Sequence, residues 1–169
     1  MNIRISAAAI LVRELRALKR EINTYPDEEA IWHLPNGISN SAGTLTLHLA
    51  GNLQSFVGSN LGSTGYERDR RAEFESRGVP RVELLAEIER TIRAVESTLA
   101  DLPDERLEAT FPVSFGENRV ATGDFLAHLA AHLAFHVGQI DYHRRLVTGH
   151  NDSIGPLAIS ELASVQPVE

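Results

Sequence analysis

The chain has 169 residues and a formal net charge of -7, a size that suits one domain, 1–169. A 43% hydrophobic share supports a real core and excludes a disordered chain, while the acidic balance excludes a nucleic-acid surface built on clustered Lys and Arg. The absence of cysteine removes disulfides, thiol nucleophiles and Cys-based zinc knuckles together, and it fits a cytoplasmic protein.

Arg4 precedes a short apolar run, Ile5 to Val12, but Arg13, Glu14 and Arg16 follow at once. This is the pattern of an amphipathic helix rather than of a signal peptide. Ile10, Leu11, Leu15 and Leu18 predict a first helix from about Ile5 to Asn23, ended by Thr24–Tyr25–Pro26–Asp27. A linker follows to Ser39, with Pro35–Asn36–Gly37 as a turn.

The second helix is expected from an Asn40 or Ser41 cap to about Leu61. No Asp, Glu, Lys or Arg occurs between Glu29 and Glu67. A helix without formal charge on any side is covered on most sides, so it belongs in a bundle centre, against a second subunit, or both. Gly62 to Pro80 forms a long charged connection that includes Glu67–Arg68–Asp69–Arg70–Arg71.

The third helix is expected from Arg81 to Leu102, with Leu84, Leu85, Ile88, Ile92, Val95 and Leu99 at helical spacing and Pro103 as its stop. Leu107 to Val113 and Gly116 to Val120 predict a small irregular hairpin. Thr122 is expected to cap a fourth helix that runs to about Thr148 and ends at Gly149, with a short helix near Leu157 to Leu162 beyond it. No run approaches the length of a membrane span. The expected class is all-α, an antiparallel-type four-helix bundle whose two long connections can act as crossovers.

The fourth helix carries the chemistry. His128, His132, His136 and His143 fall within one segment, and the first three are spaced four apart. At about 100° per residue these histidines and Gln139 form one stripe bordering the apolar stripe of Leu129, Leu133 and Ile140. His48 lies on the second helix, on a polar but uncharged stripe with Thr44, Asn52, Ser55 and Ser59. A His-x-x-x-His pair with one distant His is a metal-site pattern that leaves a coordination position open, and imidazole suits Zn, Ni or Fe(II). Asn52, Gln139 and backbone carbonyls are candidate acceptors for the second N–H of each ligand. His128 and His143 are spare, as pocket-lining residues or neighbours of the site. The competing reading makes all of these inert, hydrogen-bonded core or rim residues.

Several metal patterns fail. The segment His132 to His136 lacks the Glu of the metalloprotease motif, and no Glu-x-x-His pair of a di-iron bundle occurs in the fourth helix. Met–His haem ligation fails because Met1 is the only methionine.

The segment Gly37 to Leu53, around His48, resembles the first histidine box of the DinB-like superfamily. His132 with His136–Val137–Gly138–Gln139–Ile140 resembles its second, and Tyr66 to Phe74 resembles a subgroup of uncharacterised function. The resemblance spans all four helices. It implies an up-down-down-up four-helix bundle, commonly a homodimer, with one divalent metal held by His48, His132 and His136. It implies either a thiol-dependent transferase or isomerase using a low-molecular-weight thiol, or a metal-dependent hydrolase. The family's frequent Arg after the last ligand is Val137 here, so an anionic substrate must be held differently.

A three-His metal can lower the pKa of a bound water or thiol for attack on an electrophile. No general base is obvious on the stripe: Asp141 points away, Asp124 lies at the margin, and His143 or Glu73 are further candidates. Arg68, Arg70, Arg71, Arg77 and Arg81 are candidate clamps for a carboxylate at the pocket mouth, against the reading of a solvated mixed-charge loop. Two functions follow: a metal-dependent hydrolase or thiol transferase acting on a small molecule, with no nucleic-acid or membrane partner, or a non-catalytic metal-binding dimer.

Overall fold

The structure, a computed structural model, describes residues 2–166, so the outermost residues of the 1–169 span lie outside the description. Four helices are long: α1 (Ile3–Thr24), α3 (Ala42–Leu53), α6 (Arg81–Asp101) and α8 (Thr122–Thr148). Short helices lie between them: α2 (Glu28–Trp32), α4 (Asn60–Gly62), α5 (Arg70–Glu75) and α7 (Glu105–Glu108). A 3-10 turn, Ile159–Glu161, stands where the tail helix was expected. No strand occurs among the described residues, and none of their helices is long and apolar enough to cross a membrane.

Capping explains where the helices begin. The Asn2 side chain accepts the amides of Arg4 and Ile5, so α1 starts two residues before the expected Ile5. Ser41 caps α3 by accepting the Thr44 amide at 3.2 Å. Asp27 and Asp69 each cap a turn of helix inside segments expected to be plain connections, accepting the amides of Ala30 and Ala72. Thr122 does not cap α8. Ala121 holds that position, and the Thr122 hydroxyl donates to the Ala109 carbonyl at 3.0 Å instead. Gly149 ends α8 at a φ of 72°, with its amide donating to the Arg145 carbonyl.

The expected hairpin is reduced to a loop. Leu107 and Glu108 belong to α7, and only the isolated bridges Thr110–Ala121 and Phe115–Asn118 join the two arms. Pro112 has no N–H to give a ladder, and Gly116 turns the chain at positive φ.

Every residue of α3 except Leu47 is buried. The covering is intramolecular: α2, α5, α6 and α8 all pack against α3. The charge-free run therefore needs no second subunit to explain it. Beyond Leu53 the helix widens into a π-helical segment, Gln54–Ser59, which continues into α4.

α1 completes the core against α6 and α8. Arg4, at one end, donates to the Leu99 carbonyl, and the Tyr25 carbonyl, at the other, accepts from Arg81. Deep between α1 and α8, the fully buried Arg144 bonds Glu21 and Asp141 and also donates to the Asp152 carbonyl.

Two carboxylates share this arginine. Burial pushes Asp141 upward, but hydrogen bonds from Arg145 and Glu21 outweigh it and hold Asp141 below the usual range. Burial pushes Glu21 up from 4.5 to about 7, against the hydrogen bond from Arg144. Folding therefore takes up a proton at Glu21 between these two values. That contribution to stability is whole below pH 4.5 and is lost as pH rises through about 7. Glu21→Gln removes the titration. Relative to the parent, this variant gains about 1–3 kcal/mol between about pH 5 and about pH 8, read from urea unfolding at each pH. A difference that stays flat with pH contradicts a protonated Glu21.

Candidate metal centre

His48 reaches the site from the middle of α3, and His132 and His136 from adjacent turns of α8. One nitrogen from each lies within 4.8 Å of the others, so the three together could hold a metal ion. The Nε2 atoms of His48 and His132 are 3.4 Å apart. Two nitrogens on a tetrahedral zinc-sized ion stand about 3.3 Å apart, from Zn–N bonds of about 2.05 Å.

The second nitrogens fix the tautomers. His48 donates Nδ1–H to Glu73 Oε2 at 3.1 Å, and His136 donates Nδ1–H to Gln139 Oε1 at 2.7 Å. Both Nε2 lone pairs are thereby free to face an ion. Burial above all, then the neighbouring His136 and His48, pushes His132 down from 6.5 to about 4. Burial also lowers His136, although the Gln139 bond works the other way. Neutral imidazoles at pH 7 are what ligation requires. On donor chemistry, tautomer and spacing, the residues fit a metal ion.

Glu73, from α5, is a buried carboxylate with charged company. Arg68 grips it through two bonds, Nε to Oε1 at 2.6 Å and Nη2 to Oε2 at 2.9 Å. Burial pushes Glu73 up, but the bonds from Arg68 and His48 win and hold it below the usual carboxylate range. The sequence placed Glu73 among candidate bases in a loop; its place is behind His48, as the acceptor that orients the ring.

The other side of the cluster is open. A cavity of about 530 Å³ includes His132 in its lining. Phe56, Phe115 and Phe125 wall it, with ring centroids 4.7 to 5.9 Å apart. His128 lines it too, stacked between Phe125 and His132, and Asp124 stands at its margin. Asn52 is 7% exposed and faces this cavity, and its Oδ1 has no hydrogen-bond partner. Of the two side chains expected to accept from these histidines, Gln139 does so for His136, while Glu73 takes the place of Asn52 at His48.

Of the five candidate clamp arginines, Arg68 and Arg70 line the cavity. Arg71 pairs with Glu75, Arg77 donates to nearby backbone carbonyls, and Arg81 donates to the Tyr25 carbonyl. His143 is buried away from the cluster, where Nδ1 accepts from the Tyr25 hydroxyl at 2.7 Å and Nε2 donates to the His33 carbonyl at 2.8 Å. It joins α8 to α1 and to the segment after α2.

A family model described as "Protein of unknown function (DUF1572)" matches residues 5–160. The chain belongs to the DUF1572 family. No curated protein and no solved structure matches it. The matched span of this DUF1572 chain includes the three histidines, Arg68, Glu73 and the whole cavity lining.

One glycine makes the centre possible. A Cβ on Gly51 would lie 2.2 Å from Glu73 Oε1 and 2.9 Å from its carboxyl carbon. Only a residue without a side chain lets α5 bring its carboxylate against α3 at this height. Gly51→Ala displaces Glu73 and frees the His48 ring. It should weaken zinc binding by roughly 10–100-fold in a chelator-competition titration, and Glu73→Gln should do so to a similar degree. If both variants fold like the parent and bind zinc as tightly, Glu73 has no such role.

Proposed function

We propose that this DUF1572 protein is a metal-dependent enzyme of the DinB-like type, a hydrolase or a thiol S-transferase acting on a small molecule. One divalent ion, Zn, Ni or Fe(II), is held by His48, His132 and His136. Bound there, such an ion acidifies a water or a low-molecular-weight thiol and so supplies a nucleophile near neutral pH. The observation that carries this reading is the asymmetry of the cluster. Glu73, outside the cavity lining, holds the His48 ring, and a cavity large enough for a small molecule meets the cluster at His132.

The chain's own groups have separable tasks. Glu73 keeps Nδ1 of His48 protonated, and Gln139 does the same for His136. The phenylalanine wall holds an apolar group and displaces water from it. Asp124 and His128, which also line the cavity, are the groups available to take up a proton from the nucleophile.

Contact pairs support the up-down-down-up arrangement that the resemblance implies. Opposite ends of α1 and α6 meet, at Arg4 with Leu99 and at Tyr25 with Arg81. Like ends of α1 and α8 meet, with Gly123 near Ile3 and Arg144 at Glu21. α8 also leaves Phe135, Tyr142 and Leu146 exposed in one stripe at i, i+7 and i+11, a face suited to a homodimer. A cytoplasmic setting fits the cysteine-free composition.

Protein purified without an affinity tag should carry about one divalent ion per chain by elemental analysis, as a three-ligand site requires. His48→Ala and His136→Ala should keep the helical circular-dichroism spectrum, lose the ion, and lose roughly 100-fold or more of any thiol-transfer or hydrolytic activity found by screening thiols with electrophiles. Parent protein without bound metal, whose affinity for added zinc is unchanged by either variant, would overturn the proposal.

A further inference from the structure

Two arginines in the cavity wall carry donors that nothing in the chain uses. Arg68 commits one edge of its guanidinium to Glu73, through Nε and Nη2. Its remaining nitrogen, Nη1, bonds no atom of the described residues and, unlike Nε of Arg81, is not shut away from solvent. The guanidinium carbon lies 5.5 Å from the Phe56 ring centroid, and both residues line the cavity, so the free edge is presented there. A guanidinium has five N–H donors in a rigid fork, and this one, with its side chain only 14% exposed, has room for a further acceptor.

Arg70 is the second. It lines the same cavity and has no ion-pair or hydrogen-bond partner among the described residues. Its guanidinium carbon stands 5.5 Å from the Phe74 ring centroid, and the Phe74 ring is 5.0 Å from that of His48. Arg68 Nη2 is 3.4 Å from His48 Nδ1. One stretch of chain thus sets two cations beside the histidine cluster.

The rest of the lining decides what an acid on those cations would look like. Glu73 offsets the charge of Arg68, but it lies outside the lining, and its oxygens are taken by Arg68 and His48. Asp124 is the one carboxylate of the lining and comes from the first turn of α8, next to Phe125. It repels a second carboxylate and so directs an acid group towards the arginines. Phe56, Phe115 and Phe125 offer edges and faces to a flat apolar body.

We infer that this cavity binds a small monocarboxylic acid with an aromatic or compact apolar body, its carboxylate on Arg70 and the free edge of Arg68, its body against the three phenylalanines. This deepens the proposed function, on which its catalytic meaning rests, by naming the substrate class. Binding itself depends on the arginines and the phenylalanines, not on the ion.

Benzoate, benzamide and acetate serve as probes in NMR titrations of ¹⁵N-labelled protein, first stripped of metal with EDTA and then loaded with zinc. Benzamide shares the ring without the charge, and acetate shares the carboxylate without the ring. Benzoate should bind the metal-free protein about tenfold more tightly than either, because only it combines charge-assisted hydrogen bonds with burial of a ring. The largest shifts should fall at the amides of Arg70, Phe115 and Phe125. Arg70 is the position to vary, because Arg68 also holds Glu73. Arg70→Gln should bring benzoate and benzamide within about threefold of each other, and Arg70→Lys, which keeps the charge without the fork, should restore part of the preference.

No binding of benzoate, binding of benzamide or acetate as tight as that of benzoate, a preference for benzoate that needs zinc, or an unchanged preference in a folded Arg70→Gln protein would each overturn the inference. The two readings fail separately. Zinc held by the histidines without any preference for benzoate sinks the acid site alone. A preference for benzoate in a parent protein that binds no zinc supports the acid site while the metal reading falls.

Discussion

The buried carboxylate of Glu73 governs the geometry of the centre. A carboxylate cannot leave water without compensation, and here the compensation is the bidentate Arg68 and the Nδ1–H of His48. That requirement fixes several elements together. α5 must lie against α3 to deliver Glu73, and α3 must carry Gly51 where the two meet. The segment before α5 must then bring Arg68 back over the same carboxylate. The orientation of His48 therefore depends on packing made by a segment distant in sequence, and it would be lost if α5 moved by the width of one methyl group.

α8 is secured at both ends and carries its histidines between them. At its start, the Thr122 hydroxyl is tied to the Ala109 carbonyl. Toward its end, Arg144 enters the buried pair with Glu21, and His143 bridges Tyr25 and the His33 carbonyl. Arg144 is fully buried and cannot lose a partner without cost, so its Glu21 contact helps hold the helix against α1. The two α8 histidines meet His48 on α3 because this register is fixed. The buried contacts of Arg144 and of Glu73 thus serve one end, keeping three imidazoles close enough that together they could hold an ion.

Much of this was visible in the residues. The absence of charge from Glu29 to Glu67 announced a covered helix, and α3 is covered on nearly all its positions. The four-residue spacing of His132 and His136 announced two rings on adjacent turns, and Gln139, three residues on, lies where its amide meets the His136 ring. The short helices α2 and α5 were missed because each spans so few residues that no periodicity can form; their only local signals were Asp27 and Asp69 as caps. Glu73 looked like one charge among many in a mixed-sign loop. Its partner lies 25 residues away, and a pairing across that distance leaves no mark on local pattern.

His143 shows why angle alone misleads. On a wheel at about 100° per residue it falls inside the histidine stripe, yet a wheel discards the axial rise of about 1.5 Å per residue. Seven residues beyond His136, it stands roughly 10 Å farther along the axis, where it meets Tyr25 instead of the other histidines. Asn52 obeys the same rule. It shares the stripe of His48 but lies one turn on, about 6 Å along α3, where it lines the cavity and bonds none of the three rings. One turn of rise separates a residue beside the histidine rings from one in the wall of the cavity.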